Sequence, residues 1–257
     1  MKKINITITG ALGRMGQILI NRISKNKNLK LYSLTDLEAG KKIKDIKVQN
    51  NNLEAFKNTD VIIDFSRPKS SIEILNFAKK LNKKVIIGTT GFTKKEENLI
   101  KNYSKKIAIF KSGNMSLGIN LLEYITEILT KKIPNNYQIG IVDNHHKKKI
   151  DYPSGTALML ANAVAKGKNK NLDKLKGNFY LNKKGKLQNN KLNFFITRKG
   201  NTVGKHSVIY NSKIENIELK HTAFSRELFA DGALNAAVWI SKKNKGLFNM
   251  QDMFNLK

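Results

Sequence analysis

The chain has 257 residues, of which 40% are hydrophobic, and it contains no cysteine. This length and apolar content are typical of one large or two modest folded domains, and the lack of cysteine excludes disulfides, thiolate catalysis and Cys-ligated zinc. The formal net charge is +29. No apolar run approaches the roughly 20 residues of a membrane span, and the N-terminus lacks the apolar core of a signal peptide, so we expect a cytoplasmic protein.

The positive charge alone suggests binding to nucleic acid. Only five of the 48 basic residues are arginine, however, and the lysines are spread along the whole chain together with abundant asparagine and isoleucine. This distribution indicates a compositional bias. No module in which aromatic residues alternate with lysines is present, so we predict no specific nucleic-acid partner. Under such a bias, the few arginines mark places where a planar guanidinium is needed.

The first 110 residues alternate between apolar runs and amphipathic segments, which predict strands and helices. The strand-like runs are 3–10, 29–36, 60–66, 83–91 and 106–110. Two intervening helices carry predicted capping boxes, Ser70 with Glu73 and Thr93 with Glu96. The alternation predicts an α/β fold with a Rossmann-type doubly wound parallel sheet.

The pattern changes near residue 116. A helix over about 117–132 and a strand over 137–143 come first, and a second helix follows. We expect a polar loop region at 167–191, then three strand-like runs and a long apolar helix. This half of the chain predicts a second, α+β domain with a mixed or antiparallel sheet that is open on one face.

The glycine-rich turn from Gly10 to Gly16 follows the first strand and opens the first helix. Glycines there let a pyrophosphate approach the backbone N–H groups at the positive end of the helix dipole. Leu12 occupies the second glycine position of the commoner fingerprint, so the turn alone also fits an ordinary strand–helix connection. Asp36, about 20 residues further on, lies where an acid binds the adenosine ribose. The two features together predict dinucleotide binding.

Two further loops follow predicted parallel strands. They are Phe65–Pro68 and Gly88–Phe92. Ligands in such sheets bind beyond the carboxyl ends of the strands, so both loops should face the cofactor. Pro68 and Gly91 alone could explain them as plain turns, but the arginine retained at position 67 favours a functional loop.

The segment from Asn144 to Thr156 joins two histidines and three lysines to a Pro-Ser-Gly-Thr turn that begins a helix. The helix start offers N–H groups and hydroxyls to an anion, histidine transfers protons near neutral pH, and lysine both holds carboxylates and donates protons. A solvated loop is the alternative in so lysine-rich a chain. Adjacent histidines without an acid cluster, Asp143 and Asp151 notwithstanding, fit a metal poorly, so we predict none.

Taken in order, these motifs resemble the dihydrodipicolinate reductases over essentially the whole chain. The matching stretches are GALGRMG, DFSRP, IIGTTGF, NMSLGIN, HHKKKIDYPSGTA, Arg198 to His206, His221 to Arg226 and GLFNMQD. The resemblance implies reduction of a cyclic imine dicarboxylate to tetrahydrodipicolinate by NADH or NADPH, in diaminopimelate and lysine biosynthesis. It also implies a homotetramer built through the second domain's sheet.

The resemblance further implies residue roles. The cofactor side would comprise Gly10, Gly13, Arg14, Met15 and Gly16 at the pyrophosphate, Asp36 at the ribose, and Phe65, Ser66, Arg67, Gly88, Thr90, Asn114 and Met115 near the nicotinamide. The catalytic pair would be His145 and Lys149, with Lys149 as proton donor, and the substrate carboxylates would meet His146, Lys149, Ser154, Gly155 and Thr156. We expect a dinucleotide-binding domain at 1–115 plus 226–257 and a substrate-binding and oligomerisation domain at 116–225.

The chain departs from the family pattern beside the ribose acid. Leu37 stands where members that accept NADPH often carry arginine. A 2′-phosphate would lose its bidentate partner there and would meet the charge of Asp36, so we predict a preference for NADH. Lys41 or Lys42 could compensate. Lys205 replaces a common acid, and nothing in the sequence explains it. A different nicotinamide reductase would share the glycines but not the histidine–lysine block.

Overall fold

A computed structural model describes residues 2–256 and divides the chain into two compact units. Unit 1 comprises the chain up to Ser116 together with the part from Arg226 onward, and unit 2 is Leu117–Ser225. The strands are β1 Ile4–Thr9, β2 Leu29–Thr35, β3 Lys42–Ile43, β4 Ile46–Gln49, β5 Val61–Asp64, β6 Lys84–Ile87, β7 Ala108–Lys111, β8 Gln138–His145, β9 Lys176–Leu181, β10 Leu192–Arg198, β11 Gly204–Asn211, β12 Asn216–Ala223 and β13 Gly246–Phe248. The helices are α1 Arg14–Ile23, α2 Leu53–Phe56, α3 Pro68–Lys80, α4 Lys94–Ser104, α5 Leu117–Lys132, α6 Gly155–Gly167, α7 Leu172–Leu175, α8 Glu227–Ile240 and α9 Met250–Phe254.

Unit 1 is built on an eight-stranded sheet in the order β13-β7-β6-β5-β1-β2-β4-β3. All neighbouring strands are parallel except the short β3, which runs antiparallel to β4. The central strand β5 is buried at every position. Such fully apolar strands belong to parallel sheets covered on both faces. The predicted doubly wound sheet is therefore confirmed, and the carboxyl ends of its strands share one edge.

Helix α8 belongs to the core of unit 1 although it follows unit 2 in the chain. Its buried small side chains join the core that contains the apolar residues of β1 and α1. Arg22 of α1 binds Asp231 of α8 through two hydrogen bonds of 2.7 Å. Gly232 approaches the backbone so closely that a Cβ there would lie 1.8 Å from the Met115 carbonyl oxygen. Close backbone contact fixes the position of α8.

Unit 2 has a five-stranded mixed sheet in the order β12-β11-β8-β10-β9. β8, β9 and β10 are parallel, whereas β11 runs antiparallel to both of its neighbours. Helices α5 and α6 pack against each other, and apolar residues of both join the core on one face of the sheet. On the other face, a Cβ on Gly140 would meet Leu187 at 2.7 Å. The predicted second domain with a mixed sheet is confirmed.

Several local predictions differ from the structure. Thr93 and Glu96 form the expected capping box, but the box at Ser70 and Glu73 is wrong, because Pro68 begins α3 and Arg67 occupies the N-cap. Proline suits the first helical position, where its missing N–H costs nothing. The polar region at 167–191 is not entirely loop, since it contains α7 and β9. Within residues 2–256, no helix is both long and apolar enough to cross a bilayer.

The contact between α8 and Met115 predicts the effect of one substitution. Gly232→Ala should lower the free energy of unfolding by about 2 kcal/mol, because the added methyl group meets backbone that cannot move aside cheaply. Chemical denaturation of both proteins measures this difference. Gly113→Ala is the matched control, because a Cβ at Gly113 has no neighbour within 4 Å. Equal stability of the two variants would contradict the close approach.

Candidate active site

The glycine turn between β1 and α1 has a shape that excludes side chains. Gly10 has a φ of +71°, and a Cβ there would lie 2.5 Å from the Phe65 carbonyl oxygen. A Cβ on Gly16 would lie 2.3 Å from the Gly10 carbonyl oxygen. Gly13 is the N-cap of α1 and offers no side chain to the first helical turn. The N–H groups of Ala11, Leu12 and Gly13 already donate within unit 1. The turn therefore presents the N–H groups of the first turn of α1 at the positive helix end, which fits a pyrophosphate.

Asp36 lies beside this turn. The pairing of β1 with β2 sets Thr9 opposite Thr35, so the end of β2 reaches the start of the turn. The Leu12 N–H donates to Oδ2 of Asp36 at 2.9 Å, and the Leu37 N–H donates to Oδ1 at 2.7 Å. The structure thus brings together the two features that predict dinucleotide binding. Contact of Asp36 with a ribose stays a prediction.

The loops after β5 and β6 also meet. The ring of Phe65 fills the space beside Gly88, where a Cβ would lie 2.3 Å from it. The Ser66 N–H donates to the hydroxyl of Thr89 at 3.0 Å. Arg67 and Thr90 are exposed in the same loops. The position of Arg67 and Thr90 is compatible with the predicted nicotinamide side. Arg14 and Met15, predicted for the pyrophosphate, lie in the first turn of α1.

Asn114 and Met115 follow β7 and are both buried. The Asn114 side chain accepts a hydrogen bond of 2.9 Å from the Ser116 N–H, and Met115 belongs to the core of unit 1. Met115 is only 2% exposed. A bound cofactor would therefore contact the backbone of Met115 more readily than its side chain. Both residues remain predicted members of the cofactor site.

A buried carboxylate, Asp64, connects the loops of this edge. It accepts hydrogen bonds from the hydroxyls of Thr9 at 2.8 Å and Thr89 at 3.1 Å, and also from the hydroxyls of Ser66 and Ser71. Burial raises the pKa of Asp64, and these hydrogen bonds only partly oppose the shift. The residue occurs in the DFSRP motif, but sequence reasoning gave it no role. Its full burial was the missing signal.

In unit 2, three adjacent strands carry polar side chains on the core face at one edge of the sheet, where β8 and β10 end and β11 begins. In β8 the buried positions Ile139 and Ile141 are followed, two and four residues later, by Asp143 and His145. Strand register places Arg198 of β10 opposite His145 and His206 of β11 opposite Asp143. Because side chains alternate along a strand, these four groups lie on one face, at the end of the apolar core.

Asp143 is the centre of this cluster. Its Oδ2 accepts hydrogen bonds from the Arg198 guanidinium at 2.9 Å and from the Ser154 N–H at 2.8 Å. Its Oδ1 lies 2.9 Å from Nδ1 of His145 and 3.3 Å from Nε2 of His206. Burial alone would raise the pKa of Asp143, but these four neighbours outweigh it and hold the pKa well below its usual range.

His206 differs from the carboxylate beside it. Burial lowers the pKa of His206, and its electrostatic interactions with His145 and Lys149 act in the same direction, against the hydrogen bond and charge of Asp143. The imidazole therefore favours its neutral form at neutral pH. It also lies 3.2 Å from the hydroxyl of Ser154. Neither Arg198 nor His206 was predicted as a site residue. The rarity of arginine in this chain was the signal in the sequence that could have identified Arg198.

The same cluster resembles a metal site in its spacing. The ligand atoms of Asp143, His145 and His206 lie within 4.8 Å of one another. The Arg198 guanidinium already neutralises the carboxylate, so the charges are satisfied without a cation. The absence of a metal remains a prediction.

The loop after β8 carries the predicted cationic groups. The His146 N–H donates to the Thr202 carbonyl at 2.8 Å, which ties the loop to the β10–β11 turn. Lys149 is half-buried, and its Nζ lies 2.8 Å from Oδ1 of Asp151. Burial alone would raise the pKa of Asp151, but the hydrogen bond and charge of Lys149 outweigh it, lower the pKa and keep the carboxylate charged.

Helix α6 begins where this loop ends. Ser154 is its N-cap, and the Ser154 hydroxyl accepts a hydrogen bond from the Ala157 N–H at 3.2 Å. Gly155 is exposed and Thr156 half-buried in the first turn. The structure therefore places a helix N-terminus beside His145, through the contact of Ser154 with Asp143. Positive helix ends of this kind bind carboxylates.

A glycine turn at the carboxyl edge of a parallel sheet, with a second unit that carries imidazoles beside a helix N-terminus, is typical of dinucleotide-dependent oxidoreductases. Models of the N-terminal and C-terminal domains of dihydrodipicolinate reductase match residues 4–115 and 118–254. The chain belongs to the dihydrodipicolinate reductase family. It is accordingly a reductase of diaminopimelate and lysine biosynthesis that uses a nicotinamide cofactor.

Individual relatives agree with this assignment. The chain is 53% identical to the 4-hydroxy-tetrahydrodipicolinate reductase of Pelagibacter ubique, with 100% of both chains covered. It is 42% identical to the enzyme of the same name from Buchnera aphidicola subsp. Cinara cedri, over 98% of this chain and 97% of the relative. A solved dipicolinate-bound dihydrodipicolinate reductase from Paenisporosarcina sp. TG-14 shares the fold, with a TM-score of 0.79, 20% identity and coverage of 98% and 99%.

The raised pKa of Asp64 predicts a pH-dependent stability. Above its ordinary value of 3.8, the unfolded chain loses this proton while the folded protein retains it, so the free energy of unfolding falls as pH rises towards the raised pKa. Asp64→Asn removes this titration and should flatten the curve of melting temperature against pH from about pH 4 upward. Asp45→Asn, at an exposed carboxylate of the same unit, controls for net charge. Parallel curves for wild type and Asp64→Asn would contradict the prediction.

Proposed function

We propose that this protein reduces a dihydrodipicolinate-type cyclic imine dicarboxylate to tetrahydrodipicolinate, with unit 1 as the dinucleotide-binding domain and unit 2 as the substrate-binding domain. The bound nicotinamide would supply the hydride. The residues of the chain would hold both molecules and provide the proton that completes the reduction.

The observation that carries this proposal is the anion site at the start of α6. Gly155 and Thr156 supply N–H groups at a positive helix end, the hydroxyls of Ser154 and Thr156 lie beside them, and the loop before them carries His146 and Lys149. A substrate with two carboxylates needs concentrated positive charge together with directed hydrogen-bond donors. This turn offers both.

Lys149 and His145 are the proposed proton-transfer pair. Addition of hydride to the unsaturated ring leaves an enamine carbon that requires a proton, and a positioned lysine or histidine supplies protons of this kind. The half-buried ammonium of Lys149 rests against Asp151, a partner that a substrate carboxylate could replace. We assign the donor role to Lys149 and a supporting role to His145.

The cofactor site would comprise the glycine turn between β1 and α1, Asp36 and the loops after β5, β6 and β7. The turn fits a pyrophosphate, and Asp36 stands where ribose hydroxyls would donate hydrogen bonds to its carboxylate. Leu37 is 67% exposed and brings no positive charge to a 2′-phosphate. Lys41 is engaged by Glu38 at 2.9 Å. These contacts support a preference for NADH over NADPH.

We further propose a homotetramer that forms through the sheet of unit 2. The face of that sheet opposite the α5–α6 layer carries the half-buried Val142 and Ile209 and exposed positions of β12. Light scattering coupled to size-exclusion chromatography measures the assembly, and a monomer at micromolar concentration would contradict this part.

The first test is oxidation of NADH and NADPH by the purified protein, supplied with freshly generated product of dihydrodipicolinate synthase. We expect faster use of NADH. Leu37→Arg should raise kcat/KM for NADPH by roughly 10-fold, because a guanidinium binds the 2′-phosphate in a bidentate manner. Leu53→Arg, at another exposed leucine of unit 1, controls for added charge. Equal use of both cofactors would discard the preference, and no oxidation of either would contradict the reaction.

Lys149→Ala tests the proton donor. We expect turnover to fall by roughly 100-fold or more, since this is the usual contribution of a general acid, while the Kd for NADH stays unchanged. Stopped-flow absorbance measures turnover, and fluorescence titration measures cofactor binding. Lys147→Ala, at an exposed lysine two residues earlier, is the control for lost charge in the same loop. Unchanged turnover in Lys149→Ala would remove Lys149 as the donor.

A further inference from the structure

The Asp143 carboxylate, which lies outside the residues assigned to substrate or cofactor, contacts two different parts of the proposed substrate site. Its side chain is fully buried. One oxygen, Oδ2, holds the backbone N–H of Ser154, while the other, Oδ1, lies against the ring of His145. The same group therefore touches the anion-binding helix and a residue of the proton-transfer pair.

The contact with Ser154 fixes the start of α6. Ser154 is the N-cap, so the direction of its N–H is set by the residue that accepts this hydrogen bond. The acceptor is a carboxylate on β8, 11 residues earlier in the chain. Nε2 of His206 lies 3.2 Å from the hydroxyl of Ser154 and contacts the same N-cap residue from the side-chain end. The direction of the N–H groups in the first turn of α6 is thereby set by contacts with the sheet.

The contact with His145 fixes the orientation of an imidazole. With Nδ1 at 2.9 Å from Asp143, Nε2 is left on the far side of the ring. The ring of His206 packs edge-on against it, with centroids 4.9 Å apart. A Cβ on Gly204 would lie 3.2 Å from Nε2 of His145, so the glycine leaves the ring just enough room. A carboxylate on one ring nitrogen sets the direction and tautomer of the other.

Arg198 keeps the carboxylate charged inside the core. Its guanidinium, also buried, donates to Oδ2 of Asp143 at 2.9 Å and to the Asp143 carbonyl at 2.8 Å. It donates as well to the backbone carbonyl of Asp151 at 2.9 Å, the residue whose side chain pairs with Lys149. An arginine suits this place because its planar fork binds several oxygens at fixed angles.

We propose that Asp143 is the positioning residue of the substrate site, orienting His145 for proton transfer and the N-terminus of α6 for carboxylate binding through one buried carboxylate. This inference rests on the proposed function of unit 2. It predicts that loss of the charge at Asp143 affects both turnover and substrate binding while leaving the cofactor site of unit 1 untouched.

Asp143→Asn is the first variant. We expect kcat to fall at least 10-fold and the KM for the dicarboxylate to rise several-fold, with the KM for NADH unchanged. Asp143→Glu should recover part of both losses, because it restores the charge. Asp173→Asn, at an exposed carboxylate of the same unit, is the matched control. If Asp143→Asn changed neither constant, or changed the KM for NADH as much as that for substrate, the proposal would be overturned.

A double-mutant cycle with His145→Ala separates positioning from general loss of structure. If Asp143 acts on turnover through His145, then Asp143→Asn should lower kcat little further in the His145→Ala background, whereas its effect on substrate KM should persist. Independent, multiplicative losses of kcat would show that Asp143 does not work through the imidazole.

Gly204→Ala keeps the test decisive if Asp143→Asn does not fold. The added methyl group would lie 3.2 Å from Nε2 of His145 and 3.4 Å from Cε1 of His206, and none of its three nearest atoms belongs to Ser154 or Asp143. We expect kcat to fall several-fold with little change in substrate KM. An unchanged kcat would contradict the orientation proposed for His145.

Binding of pyridine-2,6-dicarboxylate, measured by calorimetry, distinguishes failure of this inference from failure of the proposed function. We expect the wild type to bind this planar dianion, Asp143→Asn to bind it about 10-fold more weakly, and Gly204→Ala to bind it normally. Wild-type binding that is unaffected in Asp143→Asn would refute the positioning of α6. A wild type that neither binds the probe nor turns over would refute the proposed function, and the inference with it. Loss of activity on treatment with EDTA would instead identify the cluster as a metal site.

Discussion

The buried pairing of Asp143 with Arg198 is the interaction on which the chemistry of unit 2 depends. A charged carboxylate inside a protein core requires a charged partner and hydrogen bonds, and Arg198 and Ser154 supply these to Oδ2. Oδ1 faces the rings of His145 and His206. Once the carboxylate is held there, the start of α6 and the ring of His145 have defined positions. The proposed anion site and proton-transfer group would thus depend on the same buried charge.

Unit 1 meets a similar constraint in another way. Asp64 is buried without a cationic partner, and hydroxyl groups from β1, α3 and two loops surround it. Burial raises its pKa, so the group can exist in the core as a neutral acid. Both units therefore use a buried carboxyl group at the ends of their strands to hold loops together, one charged and one favouring its protonated form.

The net charge of +29 contributes little to this arrangement. The lysines near the proposed site, apart from Lys149, lie exposed in the loop after β8, whereas the contacts that shape the site are made by one arginine, two histidines and one aspartate. The rarity of arginine and histidine in this chain makes their placement more informative than the abundance of lysine. This agrees with reading the charge as a compositional bias.

The sequence by itself determined the strand–helix order, the glycine turn with Asp36, the histidine–lysine block and the family, because each depends on local pattern and spacing. It misplaced the start of α3, where Pro68 occupies the first helical position. It also overlooked α7 and β9, in a polar segment whose weak propensities left the outcome to packing. Only the tertiary structure decided that Asp143, Arg198 and His206 form one cluster, and that Asp64 joins β1, α3 and two loops. These residues lie far apart in the chain, and strand register alone brings them together, so no local signal could reveal their contact.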